Sequence, residues 1–152
     1  MQERNPLVLI DGSSFLYRAF YAAKNTMTTS KGIPTGATLI IARMFNKLMS
    51  EYSHSPMLCV FDARGKSFRA DLYPDYKANR PPMPDELRVQ IDNVQRIVAG
   101  LGLPIVSISG VEADDVLGSY SVKATAAGYT TIICTGDKDL AQLVNDKVTL
   151  YD

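Results

Sequence analysis

Four short apolar runs in this chain each close on acidic residues: LVLI before Asp11, MLCVF before Asp62, PIVSIS before the Gly110 turn that leads to Glu112, and TTIICTG before Asp137. Each run has strand length and turn-forming boundaries, and none alternates cleanly, so each predicts a strand buried on both faces. Amphipathic stretches of helical period lie between them. From Pro84, the residues Leu87, Ile91, Val94, Val98 and Leu101 recur at spacings of four and three, ending at Gly100 and Gly102. Similar stretches cover Thr35 to Tyr52 and the residues after Asp115, and VTLY near the end reads as a further strand. Strands alternating with helices predict an α/β fold, a mainly parallel sheet flanked by helices.

In such sheets ligands bind outside the carboxyl ends of the strands. Asp11, Asp62, the cluster Glu112, Asp114 and Asp115, and Asp137 with Asp139 are therefore expected to converge on one rim. A single strand-end Asp is commonly a helix N-cap, and Asp139 before LAQLV fits that role. Four strands all ending in acid ask for more.

The stretch GVEADDVLG places three carboxylates within four residues between apolar neighbours. Two carboxylates ~5 Å apart repel by roughly 3 kcal/mol in a protein-like dielectric. A helix N-terminus returns only about 0.3–1 kcal/mol per anion. Full solvation, protonation or a bound cation would each relieve the cluster. Val111 before it and Val116-Leu117 after it anchor it at the sheet rim, which argues against full solvation. Oxygen donors without Cys or His select a hard ion, Mg²⁺ or Mn²⁺, that keeps several waters. Seven candidate carboxylates exceed what one such ion uses, so two ions are expected.

With 46% hydrophobic residues among 152, the chain has apolar surface for one core, and a single domain over 1–152 is expected. No apolar run approaches the ~20 residues of a membrane-spanning helix and no signal-peptide pattern opens the chain, so a cytoplasmic protein with no membrane partner is expected. Cys59 and Cys134 stand singly inside apolar runs and read as buried small hydrophobes. His54, the only histidine, lies in the polar stretch YSHSP, which leaves a hydrolytic triad without a base. The net charge of zero hides a sorting: residues 1–109 carry 13 bases against 9 acids, residues 110–152 carry 3 against 7. A basic patch beside an acidic pocket follows.

The segment ARGKSFRADLYPDYKANRPPMP is too long for an ordinary loop and interleaves Arg64, Lys66, Arg69, Lys77 and Arg80 with Phe68, Tyr73 and Tyr76. Cations beside aromatics contact phosphates and stack on unpaired bases, and Tyr17 and Arg18 after the first strand join them. The alternative is aromatics that tack the segment to the core while the cations stay solvated. Gly65-Lys66-Ser67 looks like the end of a Walker A loop, but Val60 stands where its first glycine belongs, which excludes an ATPase. Ser13 stands where an Asp-x-Asp phosphatase needs its second acid.

Taken in order, LIDGSSFLYRAFYA, VFDARGKSFRADLYPDYKANRPPMP, SGVEADDVLG and CTGDKDLAQLV resemble the motifs of the 5′ nuclease domain of bacterial DNA polymerase I, over nearly the whole chain. The resemblance implies a PIN-like 5′ nuclease fold of the flap endonuclease group. It implies a divalent-metal phosphodiesterase that cuts DNA carrying a 5′ end or flap and removes RNA primers from RNA-primed DNA, in replication and repair at the nucleoid. Asp11, Asp62, Glu112, Asp114 and Asp115 would then serve a first ion, some through water, and Asp137 and Asp139 a second. Lys77 and Arg80 match the basic residues brought to the scissile phosphate, Tyr76 the neighbouring aromatic, and Arg18 another phosphate contact. Tyr17, Lys66 and Arg69 complete the expected nucleic-acid contacts. The family continues into a Gly-Asp-Ser-rich segment with two more aspartates and a helix-hairpin-helix, absent here; the resemblance thus implies a fragment of a longer chain, with a polymerase region, or a naturally short relative. Slow cleavage by these residues alone is expected, and a non-catalytic nucleic-acid-binding module with the same fold is the alternative.

Overall fold

The computed structural model describes residues 4–23, 29–32, 35–63, 67–76 and 83–152. Five strands form one sheet in the order β3-β2-β1-β4-β5, with β1 at Leu7–Asp11, β2 at Met57–Val60, β3 at Ile105–Val106, β4 at Thr131–Cys134 and β5 at Val148–Tyr151. Every pairing is parallel. All four acid-terminated runs therefore point their carboxyl ends the same way. The chain leaves β1 toward β2 on one side and returns to β4 on the other, which makes the end of β1 the topological switch point of the sheet.

The central strands are buried on both faces as expected, and β1 shows why it cannot alternate. Val8 and Ile10 enter the core beneath α1 (Gly12–Ala23), α2 (Gly36–Glu51) and α5 (Ile91–Gly100), while Leu9 enters the opposite core beneath α6 (Ala113–Ala126). The edge strand β3 is shorter than PIVSIS predicts, only two residues, and both are partly exposed. Among the described residues it pairs with β2 alone. Cys59 and Cys134 are buried and unpaired. His54 lies in the turn leading into β2, at the amino end of the sheet and away from the acidic rim. Among the described residues no helix is long and apolar enough to cross a membrane.

The helix expected from Pro84 is divided into α4 (Asp85–Arg88) and α5. Gln90, 1% exposed, sits at the break. Its Nε2 donates to the Glu86 carbonyl at 2.8 Å, and its Oε1 accepts the Thr38 amide at 3.0 Å and hydroxyl at 3.1 Å. A side chain from the break thus satisfies an orphan donor in the first turn of α2, where no local residue does. Periodicity cannot report that exchange.

Between β1 and α1 the backbone passes so close to β2 that only glycine fits. A Cβ on Gly12 would stand 2.8 Å from two Phe61 ring carbons and 3.0 Å from the Cys59 sulfur. Gly12→Ala is therefore expected to lower the unfolding free energy by about 1–3 kcal/mol through overpacking. Denaturant unfolding checks this; an unchanged midpoint would mean that Phe61 gives way freely.

Candidate metal centre

Asp11 ends β1 nearly buried, 3% exposed. Its Oδ2 accepts the Thr135 hydroxyl at 2.8 Å and its Oδ1 the Ser14 amide at 3.2 Å. Burial raises its pKa, those two hydrogen bonds oppose the rise, and Asp62 and Asp137 add to it. Asp62, just past β2, accepts the Ala113 amide at 2.7 Å and so caps the first residue of α6. Asp137 caps the 3-10 helix at Lys138–Leu143 by accepting the Asp139 amide at 2.9 Å. The capping role expected of Asp139 thus belongs to Asp137.

Asp11, Asp62, Glu112, Asp114 and Asp137 line one cleft of about 260 Å³ at the carboxyl rim, with Ser13, Ser14 and Tyr17. Asp114 records their convergence. Burial first, then the charges of Asp137, Asp11, Asp62 and Glu112, push its pKa up to about 6. The structure divides the expected ligand set, however. Asp115 and Asp139 do not line this cleft and open instead onto a groove of about 1040 Å³ along α6, into which Asp114 also faces.

Asp115 is held by Arg69, expected from the sequence as a nucleic-acid contact and found on the acids. This arginine stands on α3 (Phe68–Leu72), and its guanidinium forks onto Asp115 with both contacts at 2.7 Å and reaches Glu112 at 2.6 Å. The Asp115 hydrogen bond, with the charges of Asp115 and Glu112, raises its pKa above the ordinary arginine value. Asp115 Oδ2 also accepts the Glu112 amide at 3.0 Å, the N3 acid of α6 reaching back across its first turn. The Tyr76 hydroxyl donates to Glu112 at 3.1 Å, so this expected base-stacking residue faces the cluster too. Part of what holds GVEADDVLG together is therefore an arginine from the basic segment, an answer outside the three arrangements weighed from sequence. The turn at Gly110 makes it possible: Gly110 adopts φ +85, and its carbonyl accepts the Phe68 amide at 2.7 Å, folding α3 back over the cluster.

Tyr17 lines the cleft and its ring stacks near Tyr21 at 6.5 Å. Arg18 pairs with Asp152 at 2.7 Å on the surface. Lys66, Lys77 and Arg80 lie outside the described residues. Ser13, from sequence only a departure from a phosphatase motif, and Ser14 both hold the site together. The Ser13 hydroxyl accepts the Asp62 amide at 2.9 Å and the Ser14 hydroxyl the Gly136 amide at 2.9 Å, so the start of α1 is tied to the ends of β2 and β4. The signal was present in DGSS, two hydroxyls directly after a strand-end acid.

The donor set is all oxygen and suits a hard divalent ion. Among the described residues no three Asp, Glu, His or Cys side chains are already grouped to hold one. Asp11, Asp62, Glu112 and Asp137 each give an oxygen to a hydrogen bond within the fold, and a hard divalent ion held by them would keep several waters of its own.

Residues 6–152 match the family described as the 5′-3′ exonuclease, N-terminal resolvase-like domain. A DNA polymerase I of Pseudomonas aeruginosa is 52% identical over 147 residues, which span 97% of this chain and 16% of that protein. A 5′-3′ exonuclease of Buchnera aphidicola subsp. Baizongia pistaciae is 43% identical over 141 residues, spanning 91% of this chain and 45% of that one. The chain thus spans less than half the length of either curated relative. A bacteriophage T5 flap endonuclease solved with DNA and metal ions shares the fold, with a TM-score of 0.72 at 24% identity over 96% of this chain and 54% of that one.

Proposed function

The chain belongs to the family of 5′-3′ exonuclease N-terminal, resolvase-like domains, and on that premise we propose that its acidic cleft is the divalent-metal site of a 5′ nuclease that hydrolyses phosphodiester bonds in DNA with a 5′ end or flap and in RNA-primed DNA. The observation that carries this reading is the convergence of Asp11, Asp62, Glu112, Asp114 and Asp137 on one cleft at the switch point of the sheet. Bound there, Mg²⁺ or Mn²⁺, one ion or two, supplies an activated water and neutralises charge on the phosphate. Without histidine in the cleft, the chain's own residues have other tasks. Asp11 and Asp114 set the charge that attracts the ion, Asp62 and Asp137 add to it while holding the starts of α6 and of the 3-10 helix, and Asp115 and Asp139 act from the flanking groove. Lys77 and Arg80 offset charge developing on the phosphate oxygens, an electrostatic role. Tyr17, Arg18, Lys66 and Tyr76 guide the strand toward the cleft, while Arg69 stays on Glu112 and Asp115. Sequence is not read, because such contacts are to backbone and base faces. On the same reading this work belongs to the cytoplasm at the nucleoid and to a longer chain with a polymerase region, as the likeness to DNA polymerase I supports.

The test is cleavage of a labelled 5′-flap duplex by this chain in Mn²⁺ or Mg²⁺, beside an EDTA control. Slow, metal-dependent release of the 5′ strand, abolished by EDTA, is expected. Binding of the flap without cleavage at any metal concentration would return the non-catalytic binding module instead.

A further inference from the structure

Asp11 and Thr135 leave the sheet side by side, since Ile10 and Cys134 are paired in the ladder before them. Thr135 is 3% exposed, and its hydroxyl has two partners: the Asp137 amide at 3.0 Å and Asp11 Oδ2 at 2.8 Å. An amide N–H only donates. The hydroxyl oxygen must therefore accept from Asp137, and its single proton is left for Asp11. One hydroxyl thus joins the carboxylate at the end of β1 to the backbone of the residue that brings the next carboxylate from β4.

Ser14 makes the same link from the other side. Its amide donates to Asp11 Oδ1 at 3.2 Å and its hydroxyl accepts the Gly136 amide at 2.9 Å. Gly136 permits that approach, because a Cβ there would stand 3.3 Å from the Ser14 hydroxyl oxygen. Both oxygens of Asp11 and both amides of Gly136-Asp137 are held by these two residues. Groups that orient metal ligands from outside matter nearly as much as the ligands themselves.

We propose that Thr135 and Ser14 are positioning residues that set the Asp11 carboxylate and its spacing from Asp137 for the divalent ion, an inference that rests on the metal reading of the cleft. Thr135→Val keeps the shape and removes the hydroxyl. Thr135→Ser keeps the hydroxyl. Ser14→Ala removes the acceptor for Gly136 and leaves its own amide in place.

The experiment measures the Mn²⁺ dissociation constant by calorimetry and the melting temperature of each metal-free protein. Thr135→Val and Ser14→Ala are expected to weaken Mn²⁺ binding about tenfold or more, with Thr135→Ser within about threefold of the parent. A merely structural role would lower the metal-free melting temperature and leave the Mn²⁺ constant of the folded protein unmoved. Parental Mn²⁺ affinity in Thr135→Val and Ser14→Ala overturns the proposal; should Thr135→Val not fold, parental affinity in Ser14→Ala alone does so. An unsubstituted chain that binds no Mn²⁺ defeats the metal reading itself, and this inference with it, a result distinct from binding that the substitutions leave unchanged.

Discussion

Asp114→Asn is expected to make the metal-free protein more stable at neutral pH and to remove most of its response to metal. Burial and four neighbouring carboxylates hold the Asp114 pKa near the value of about 6, above its ordinary 3.8. Between those values the folded state binds the proton more tightly than the unfolded chain. Stability contributed by this group is therefore fully present below about pH 4, falls as the pH rises, and is lost above about pH 6. A displacement of that size corresponds to about 3 kcal/mol at full strength. Because Asp114 is only half-buried, solvent screening reduces the expected penalty at pH 7 to about 1 kcal/mol.

An amide in its place has no such titration, so the slope of stability between pH 4 and pH 6 should flatten. Mn²⁺ works in the opposite direction. A ligand at about a hundred times its dissociation constant stabilises the folded state by about 2.7 kcal/mol. The parent should show that rise and Asp114→Asn little of it, with flap cleavage falling to background. Melting curves across pH, with and without Mn²⁺, provide the check. A variant that is less stable without metal yet equally stabilised by it would remove Asp114 from the site.

The rim was legible because its logic is topological. Once LVLI, MLCVF, PIVSIS and TTIICTG are recognised as parallel strands, the acids that follow them must gather at one end. What the sequence could not carry was the assignment of each oxygen. Arg69 is one of several cations in its segment, and nothing in the composition says which turns inward. That depends on α3 folding back through the Gly110 carbonyl, a contact between residues 42 positions apart. Gln90 and Thr135 were hidden for the same reason: each is a polar residue in an apolar neighbourhood whose partners come from other elements. Asp115, adjacent to Asp114 in sequence, shares the groove along α6 with it but does not reach the cleft, because successive helical side chains lie about 100° apart.

Arg69→Ala should expose how the acidic cluster is held before an ion arrives. The side chains of Glu112 and Asp115 are 16% and 27% exposed, and Arg69 itself is 34% exposed. Removing the guanidinium leaves two half-buried carboxylates facing each other across the first turn of α6, beside Asp114. Breaking a fully buried pair costs about 3–5 kcal/mol. The partial exposure here allows water to replace some of what is lost, so about 1–2 kcal/mol of metal-free stability is the expected loss. The arginine also lies over the Phe68 ring at 4.6 Å, so part of the loss would be packing. Adding Mn²⁺ should narrow the gap. On the metal reading of the cleft, an ion would compete in the parent with the guanidinium for Glu112, a competition that Arg69→Ala removes, so the rise in melting temperature on Mn²⁺ addition should be larger in Arg69→Ala. If Arg69 served only as a solvated phosphate contact, its removal would weaken flap binding and leave both the metal-free stability and the Mn²⁺ response as they were. Thermal unfolding over a Mn²⁺ titration, run with a flap-binding assay on the same two proteins, distinguishes an arginine that occupies the acids from one that waits for DNA.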